Sequence, residues 1–352
     1  MRSDFADLEG YAAVKPIDVL AAELGMLPES IVKLDANENP WGPHAAVNAA
    51  ASSAALHIYP DPAQISLRRA IADYCNVGIE NVVCGQGADD LIDLVLRLFA
   101  PRRAVDNVPT FGMYSFLAAV NGVEVVEVER SRGFALDLEA NARAVDEGAS
   151  VIFVTSPNNP TGNVSSCREL ESLLDLDAIV VVDEAYVEFS GSSAVPLLAR
   201  HPNLMILRTF SKWAGLAGLR VGYALAAADI VRRLMAIKQP YNVNVAAEAA
   251  ARAAVEHRAE ILETTRGIVK ERDRMSRLVG DLGWLRPFPS EANFVLFAVE
   301  GRKAAEVAAD LRERGVLVRY YEKPLLENFI RISAGRPEDT DRLVATLQEV
   351  GR

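Results

Sequence analysis

Cysteine is scarce in this 352-residue chain, and the three present, Cys75, Cys84 and Cys167, lack the short paired spacings of a zinc or redox motif. An odd, dispersed set argues against a disulfide framework and points to a reducing compartment, with all three read as core thiols. The four histidines, His44, His57, His201 and His257, fall in no catalytic or metal-ligating pattern, so no metal site is expected. No window reaches the roughly 20 apolar residues of a membrane span. The first residues carry acids rather than the apolar core of a signal peptide, so a cytoplasmic location is expected and the Asn163-Val164-Ser165 sequon is read as chance. A basic excess is missing too: 37 Lys and Arg against 48 Asp and Glu leave a net charge of −11, which excludes a nucleic-acid groove or a polybasic membrane patch. Any anionic ligand must therefore be held by a few placed arginines. Two nucleotide motifs are also absent. Gly85-x-Gly87 has no third glycine and no ribose-binding acid at the usual strand end, and no Gly-x4-Gly-Lys-Ser/Thr occurs.

What remains is an ordinary globular composition, half apolar and a quarter charged, long enough for about two domains. Short β-rich runs at 81–84, 104–107, 124–128, 150–155, 178–182, 203–207 and 221–225 alternate with helical patterns at 66–74, 88–99, 167–174 and 230–238. Several runs are apolar throughout, as strands covered on both faces are. This is the pattern of a mostly parallel α/β sheet with helices on its faces. A long helix is expected over 246–282, followed by strands at 293–298, 316–319 and 329–332 and helices at 303–314 and after Pro337. The expected organisation is an irregular N-terminal arm with part of a small domain (1–40), a large ligand-binding domain (41–250) and a small α/β domain (251–352).

The chemistry concentrates at strand ends. Thr209-Phe210-Ser211-Lys212 follows the run Leu204-Met205-Ile206-Leu207 and precedes a small-residue stretch ending at Arg220. One amine delivered to a glycine-rich turn, with a hydroxyl beside it and an arginine eight positions on, is what a Schiff-base site for a phosphorylated aldehyde requires. Lys212 is the candidate nucleophile. Ser156-Pro157-Asn158-Asn159-Pro160-Thr161-Gly162 ends another strand and reads either as a plain turn or as one that aims an asparagine amide at a ligand. Asp183-Glu184-Ala185-Tyr186 ends a third; a carboxylate there can hold a pyridine nitrogen protonated, or bind a metal or cap a helix. Cys84-Gly85-Gln86-Gly87-Ala88-Asp89-Asp90 leads from a strand into a helix, whose free N–H groups suit a phosphate. Together, in this order on one sheet, the clusters can converge on one ligand, although each alone has a bland reading.

Asn159 in its Asn-Pro-Thr-Gly turn, Asp183 in Asp-Glu-Ala-Tyr, and Ser211-Lys212 with Gly218-Leu219-Arg220 resemble the fold-type I pyridoxal-phosphate aminotransferases. The chain is most similar to the histidinol-phosphate aminotransferase family, through 34–40, Tyr59-Pro60-Asp61, 109–114 and Arg331-Ile332-Ser333-Ala334-Gly335, a likeness that runs from Tyr11 to Arg336. The resemblance implies a pyridoxal 5′-phosphate enzyme moving an amino group between glutamate and imidazole acetol phosphate in histidine biosynthesis. Threonine-phosphate decarboxylase and aromatic aminotransferase are alternatives within the subgroup, and a non-catalytic metabolite-binding protein is one from another class. The resemblance further implies that Lys212 holds the cofactor and shuttles the proton, with Asp183 on the ring nitrogen and Asn159 and Tyr186 on the phenolic oxygen. Gly87, Ala88, Asp89, Ser211 and Arg220 would clamp the phosphate, with Thr209 assisting, and Phe111 would stack on the ring where tyrosine is common in the family. Tyr59 would reach the site from the second subunit of a homodimer. Tyr11, Asn37, Arg319 and Arg331 would bind substrate. A guanidinium fork accepts phosphate or carboxylate alike, so Arg331 can serve both half-reactions. Trp213, where the family has a small residue, is expected to reshape the entrance or pack on the arm.

Overall fold

The computed structural model describes Gly10 and residues 14–351. The described residues form twelve strands: β1 (Val32–Leu34), β2 (Val82–Gly85), β3 (Arg103–Val108), β4 (Glu124–Glu129), β5 (Ala149–Thr155), β6 (Ile179–Asp183), β7 (Leu204–Thr209), β8 (Gly222–Ala226), β9 (Leu285–Pro287), β10 (Phe294–Val299), β11 (Val316–Tyr320) and β12 (Phe329–Ser333). Seven build a sheet in the order β2-β8-β7-β6-β5-β3-β4, parallel except for β8, which runs against both its neighbours. The other five order as β1-β11-β12-β10-β9, antiparallel apart from the β1–β11 pair.

The uninterrupted apolar runs of β5, β6 and β7 have a direct cause. Side chains alternate between sheet faces, and here each face is a core. Ile152, Val154, Val180, Val182, Leu204 and Ile206 enter one hydrophobic cluster with Leu170 and Leu173 of the helix Cys167–Leu174. Val151, Phe153, Val181, Met205 and Leu207 enter the other with Leu91, Ile92 and Val95 of the helix Gly87–Phe99. Both faces being dry over 151–154, 179–182 and 204–207, a polar residue there would be stranded without water. The polar residues accordingly come at the strand ends, and three adjacent ends carry Thr155, Asp183 and Thr209.

Helix starts follow local chemistry where it is present. Ser166 accepts from the Glu169 amide at 3.2 Å while Glu169 accepts from the Ser166 amide at 2.8 Å, a reciprocal cap that fixes the first turn of Cys167–Leu174.

Three expectations need correction. The single long helix is two, Val245–Glu256 and Arg258–Gly280, with His257 between them at φ −94°, ψ 21°. The first lays Ala247, Ala250, Ala251 and Ala254 on the large core; the second starts on that same core with Ile261 and carries Met275 and Val279 into the core of the five-stranded sheet. The N-terminal segment is not wholly irregular. A helix, Ile17–Leu24, packs Leu20 and Ala21 with Leu317, and β1 adds an edge to the five-stranded sheet, so 17–34 belong to its core. Cys75 and Cys84 are buried thiols, but Cys167, at the start of its helix, is exposed. No helix among the described residues is long and apolar enough to cross a membrane.

Candidate active site

The sheet order brings three of the sequence clusters side by side, because β5, β6 and β7 are neighbours and their C-terminal ends open on one cavity of about 280 Å³. Ligands of open α/β sheets sit at that end. Asn159, Asp183, Tyr186, Thr209, Ser211, Lys212 and Arg220 line the cavity, together with Ala88, Asp89 and Phe111. Asn37, Arg319 and Arg331 close it from the side of the five-stranded sheet. Tyr11 lies outside the described residues. Tyr59 is not among the lining residues; it is 79 % exposed and stacks on Tyr241 with centroids 4.6 Å apart.

Alternation along β6 and beyond explains why Asp183 faces the cavity and Glu184 does not. Glu184 points to the opposite side, where it pairs with Arg208 at 2.8 Å and accepts from the Ala194 amide at 2.5 Å. Asp183 is buried and accepts from the Tyr114 hydroxyl at 2.7 Å and the Ala185 amide at 3.0 Å. It has no ion-pair partner among the described residues, and burial raises its carboxyl to about 6. Lys212 is half-buried, its Nζ 3.3 Å from the Ala36 carbonyl and 5.9 Å from the Tyr186 ring centre. Burial lowers its amine to about 8, with the Arg331 charge adding to the effect. At neutral pH roughly a tenth of such amines are free base, hundreds of times the fraction of an ordinary lysine.

One end of the cavity is an anion cup. Gly87 opens the helix Gly87–Phe99 at φ +78°, and a Cβ there would stand 2.8 Å from Arg220 Nη2, so the bare backbone is required. Arg220 is itself left-handed at φ +52°, a conformation that aims its guanidinium at the helix start, where Asp89 Oδ2 accepts from it at 2.9 Å. Ser211 is fixed alongside: Thr209 Oγ1 donates to its hydroxyl at 2.9 Å and accepts from its amide at 3.1 Å.

The opposite end carries two more cations. Arg319 and Arg331 are register partners across the antiparallel pair β11–β12. Like charges directly opposite one another are destabilising, so their pairing makes sense where an anion settles between them. Both guanidiniums also approach the Tyr321 ring, at 5.5 and 5.9 Å. Arg331 is buried, and its Nε has no partner among the described residues.

Sequence reading passed over several residues of this site. Thr110, Thr155, Asp35 and Tyr321 line the cavity, and Tyr114 and Asn158 stand behind it. Asn242 donates to Asp90 Oδ2 at 3.1 Å, and the same oxygen accepts from the Gln86 amide at 2.8 Å, which ties the Tyr241 loop to the start of the cup helix. Trp213 neither shapes the entrance nor lays its ring on the arm. Its side chain is fully buried between Tyr74 and Phe210, each 5.7 Å away, and only its carbonyl meets Asn39, at 3.1 Å.

A family model for aminotransferase class I and II matches residues 29–347. The chain is 46% identical to a histidinol-phosphate aminotransferase of Dehalococcoides mccartyi over 100% of this chain and 98% of the relative. It is 46% identical to one of Roseiflexus castenholzii over 99% and 98%. Among solved structures, histidinol-phosphate aminotransferase from Sinorhizobium meliloti in complex with pyridoxal-5′-phosphate superimposes with a TM-score of 0.87 at 28% identity, covering 99% of this chain and 98% of that one. With the match extending over nearly the whole length, through both sheets and every wall of the cavity, the chain belongs to the class I and II aminotransferases.

Proposed function

We propose that this chain is a pyridoxal 5′-phosphate-dependent aminotransferase that moves an amino group from glutamate to imidazole acetol phosphate in histidine biosynthesis. The observation that carries the reading is a single cavity in which Lys212 and Asp183 lie between an anion cup at Arg220 and a second cationic end at Arg331. The residues fit the cofactor: a Cβ at Gly87 would crowd the Arg220 guanidinium out of the cup, and the buried Asp183 carboxylate lacks a cation among the described residues. Phe111 and Ala185 give the ring apolar walls.

Bound there, the cofactor supplies an aldehyde carbon that links to amines and a protonated ring that withdraws electrons. The chain does the rest. Gly87, Ala88, Asp89, Ser211 and Arg220 hold the phosphate, and Asp183 holds the ring nitrogen protonated. Asn159 gives its Oδ1 to Arg331 at 2.6 Å, which leaves its Nδ2 to donate to the phenolic oxygen. Tyr186 Oη accepts from Asn37 Nδ2 at 2.9 Å, so its own proton is also available there, and burial pushes its phenol up, keeping that proton on. Lys212, lowered to about 8, carries the proton to and from the substrate α-carbon at its Nζ. Arg331 and Arg319 hold the carboxylate of one substrate and the phosphate of the other.

The separate cores of the seven-stranded and five-stranded sheets support a large domain of 41–250 and a small one of 251–352 completed by the first 40 residues. The exposed Leu56, Ile58 and Tyr59, with Tyr241 beside them, support a second copy as partner, each Tyr59 reaching the other protomer's cofactor phosphate. The buried free thiols Cys75 and Cys84 support a reducing, cytoplasmic location.

The test is to load the purified protein with pyridoxal phosphate, add glutamate, and follow 2-oxoglutarate release and the visible cofactor band. Imidazole acetol phosphate should restore the band far better than phenylpyruvate does. Equal restoration by both would refute the substrate assignment.

A further inference from the structure

Behind Asp183 stands a file of hydroxyls. Tyr114 Oη is 2.7 Å from Asp183 Oδ2 and 2.8 Å from Thr155 Oγ1. Thr155 Oγ1 is 3.0 Å from Thr110 Oγ1, and Thr110 donates to Asn158 Oδ1 at 2.8 Å. The outer end is an acceptor, because Asn158 Nδ2 is turned to the Pro109 carbonyl at 3.0 Å and to Thr161 Oγ1 at 2.7 Å.

Counting protons gives the file its property. Three hydroxyls supply three protons to four contacts, and when Asp183 is ionised both ends only accept. One contact must then go unmade. With the three protons turned inward, Thr110 to Thr155 to Tyr114 to Asp183, Thr110 gives up its donation to Asn158 and that outermost contact is the one left unmade. Thr110 lines the cavity and is only part-buried, so solvent or a ligand reaches it. With a fourth proton on Asp183 the file turns outward and all four contacts are made. Successive hydroxyls polarise one another, so the inward arrangement concentrates donor strength on the carboxylate.

We infer that Tyr114, Thr155 and Thr110 form a reversible hydroxyl relay, and that Tyr114 is a positioning residue whose inward turn keeps Asp183 anionic beneath the cofactor ring nitrogen. The other groups acting on Asp183 make such help necessary. Asp89 and Glu184 repel its charge, Asp106 does the same to a Tyr114 anion, and Tyr186 senses Asp183 from across the cavity. Against burial and those acids stand the Ala185 amide and the Tyr114 hydroxyl. The inference rests on the cofactor reading above.

The experiment measures pyridoxal phosphate dissociation constants between about pH 5 and 9 for the wild type and for Tyr114→Phe, Thr155→Val and Thr155→Ser, with circular dichroism at each pH to confirm the fold. Phe at 114 keeps the ring contact with Phe153, whose centroid lies 4.9 Å away. The pH at which affinity falls on acidification should rise by about one unit in Tyr114→Phe, so that it binds about tenfold more weakly near pH 5 but only about twofold more weakly at pH 7. Thr155 is a register neighbour of Asp183 whose hydroxyl bonds Tyr114 and Thr110 rather than the carboxylate, so Thr155→Val should shift in the same direction by about threefold at acidic pH, and Thr155→Ser should restore wild-type behaviour. An unchanged affinity and midpoint in Tyr114→Phe, or a loss uniform across pH, overturns the role of Tyr114. A shift in Tyr114→Phe that Thr155→Val does not share overturns the relay. A wild-type protein that binds no pyridoxal phosphate would instead sink the cofactor reading.

Discussion

The guanidinium of Arg331 donates through Nη1 to the side-chain oxygen of Asn159 at 2.6 Å and through Nη2 to the Asp35 carbonyl at 2.5 Å. One residue thus spans the two ends of the proposed chemistry: it fixes the amide proposed to donate to the cofactor's phenolic oxygen, and it keeps unspent N–H donors for a substrate anion. Arg331→Lys preserves the charge but not the fork. It should raise KM for glutamate and for imidazole acetol phosphate by tenfold or more, and shift the visible band of the loaded enzyme before any substrate is added. Arg331→Ala should cost roughly 2–5 kcal/mol of substrate binding in both half-reactions. Steady-state kinetics with each substrate check this, and a loss confined to glutamate contradicts a shared arginine.

Gly87→Ala tests the cup. At φ +78° an alanine is strained by roughly 1–2 kcal/mol, and its methyl would push the Arg220 guanidinium out of the position it holds beside Asp89. Cofactor affinity should fall at least tenfold while the melting temperature of the ligand-free protein drops by only a few degrees. Titration with pyridoxal phosphate, and competition by inorganic phosphate, separate the two effects.

Much of this was legible in the chain, and the rest had physical reasons to stay hidden. Strands β5, β6 and β7 announce themselves because both faces are dry, leaving only apolar residues over 151–154, 179–182 and 204–207 before Thr155, Asp183 and Arg208. The helix Cys167–Leu174 is found to the residue because Ser166 and Glu169 carry its start in their side chains. The break at His257 has no such mark: no proline or glycine stands there, and the second helix is one that passes from the large core at Ile261 to the five-stranded sheet's core at Met275 and Val279. Trp213 was misplaced because the likeness to relatives fixes the neighbouring lysine, not which way the next side chain points. Tyr114 and Asp183 are 69 residues apart, and their contact exists only once β3, β5 and β6 are set side by side. The facing of Arg319 and Arg331 likewise depends on a strand register that single-sequence patterns leave open.

Asp183→Asn should stabilise the ligand-free protein while disabling it. A buried carboxyl raised to about 6, against an ordinary value of 3.8, contributes stability that is present below 3.8 and lost as pH rises through about 6. At pH 7 the ionised group therefore costs the empty protein on the order of 2–3 kcal/mol. Asparagine removes that charge, and its amide can accept from Ala185 and donate to Tyr114. Thermal melts without cofactor should show the variant above wild type at pH 7–8, and the difference should vanish near pH 4. Added pyridoxal phosphate should reverse the order, because only the wild type gains an ion pair. Equal melting temperatures at pH 8 would mean the carboxylate is not destabilised by its burial.

Tyr59 gives a test of the partner subunit that does not depend on seeing it. On the surface of one protomer it is 79 % exposed and stacked on Tyr241, outside the cavity lining of its own chain. If it completes the neighbour's phosphate site, Tyr59→Ala and Lys212→Ala damage different protomers' sites. Homodimers of Lys212→Ala should show no turnover, and those of Tyr59→Ala little at limiting pyridoxal phosphate. Dissociated and reassociated as an equal mixture, half of the dimers are hybrids, and each hybrid joins an intact Lys212 to an intact Tyr59 in one of its two sites. Activity should therefore recover to roughly a quarter of wild type. Recovery no greater than the sum of the two parents would place Tyr59 in its own protomer's site or in neither.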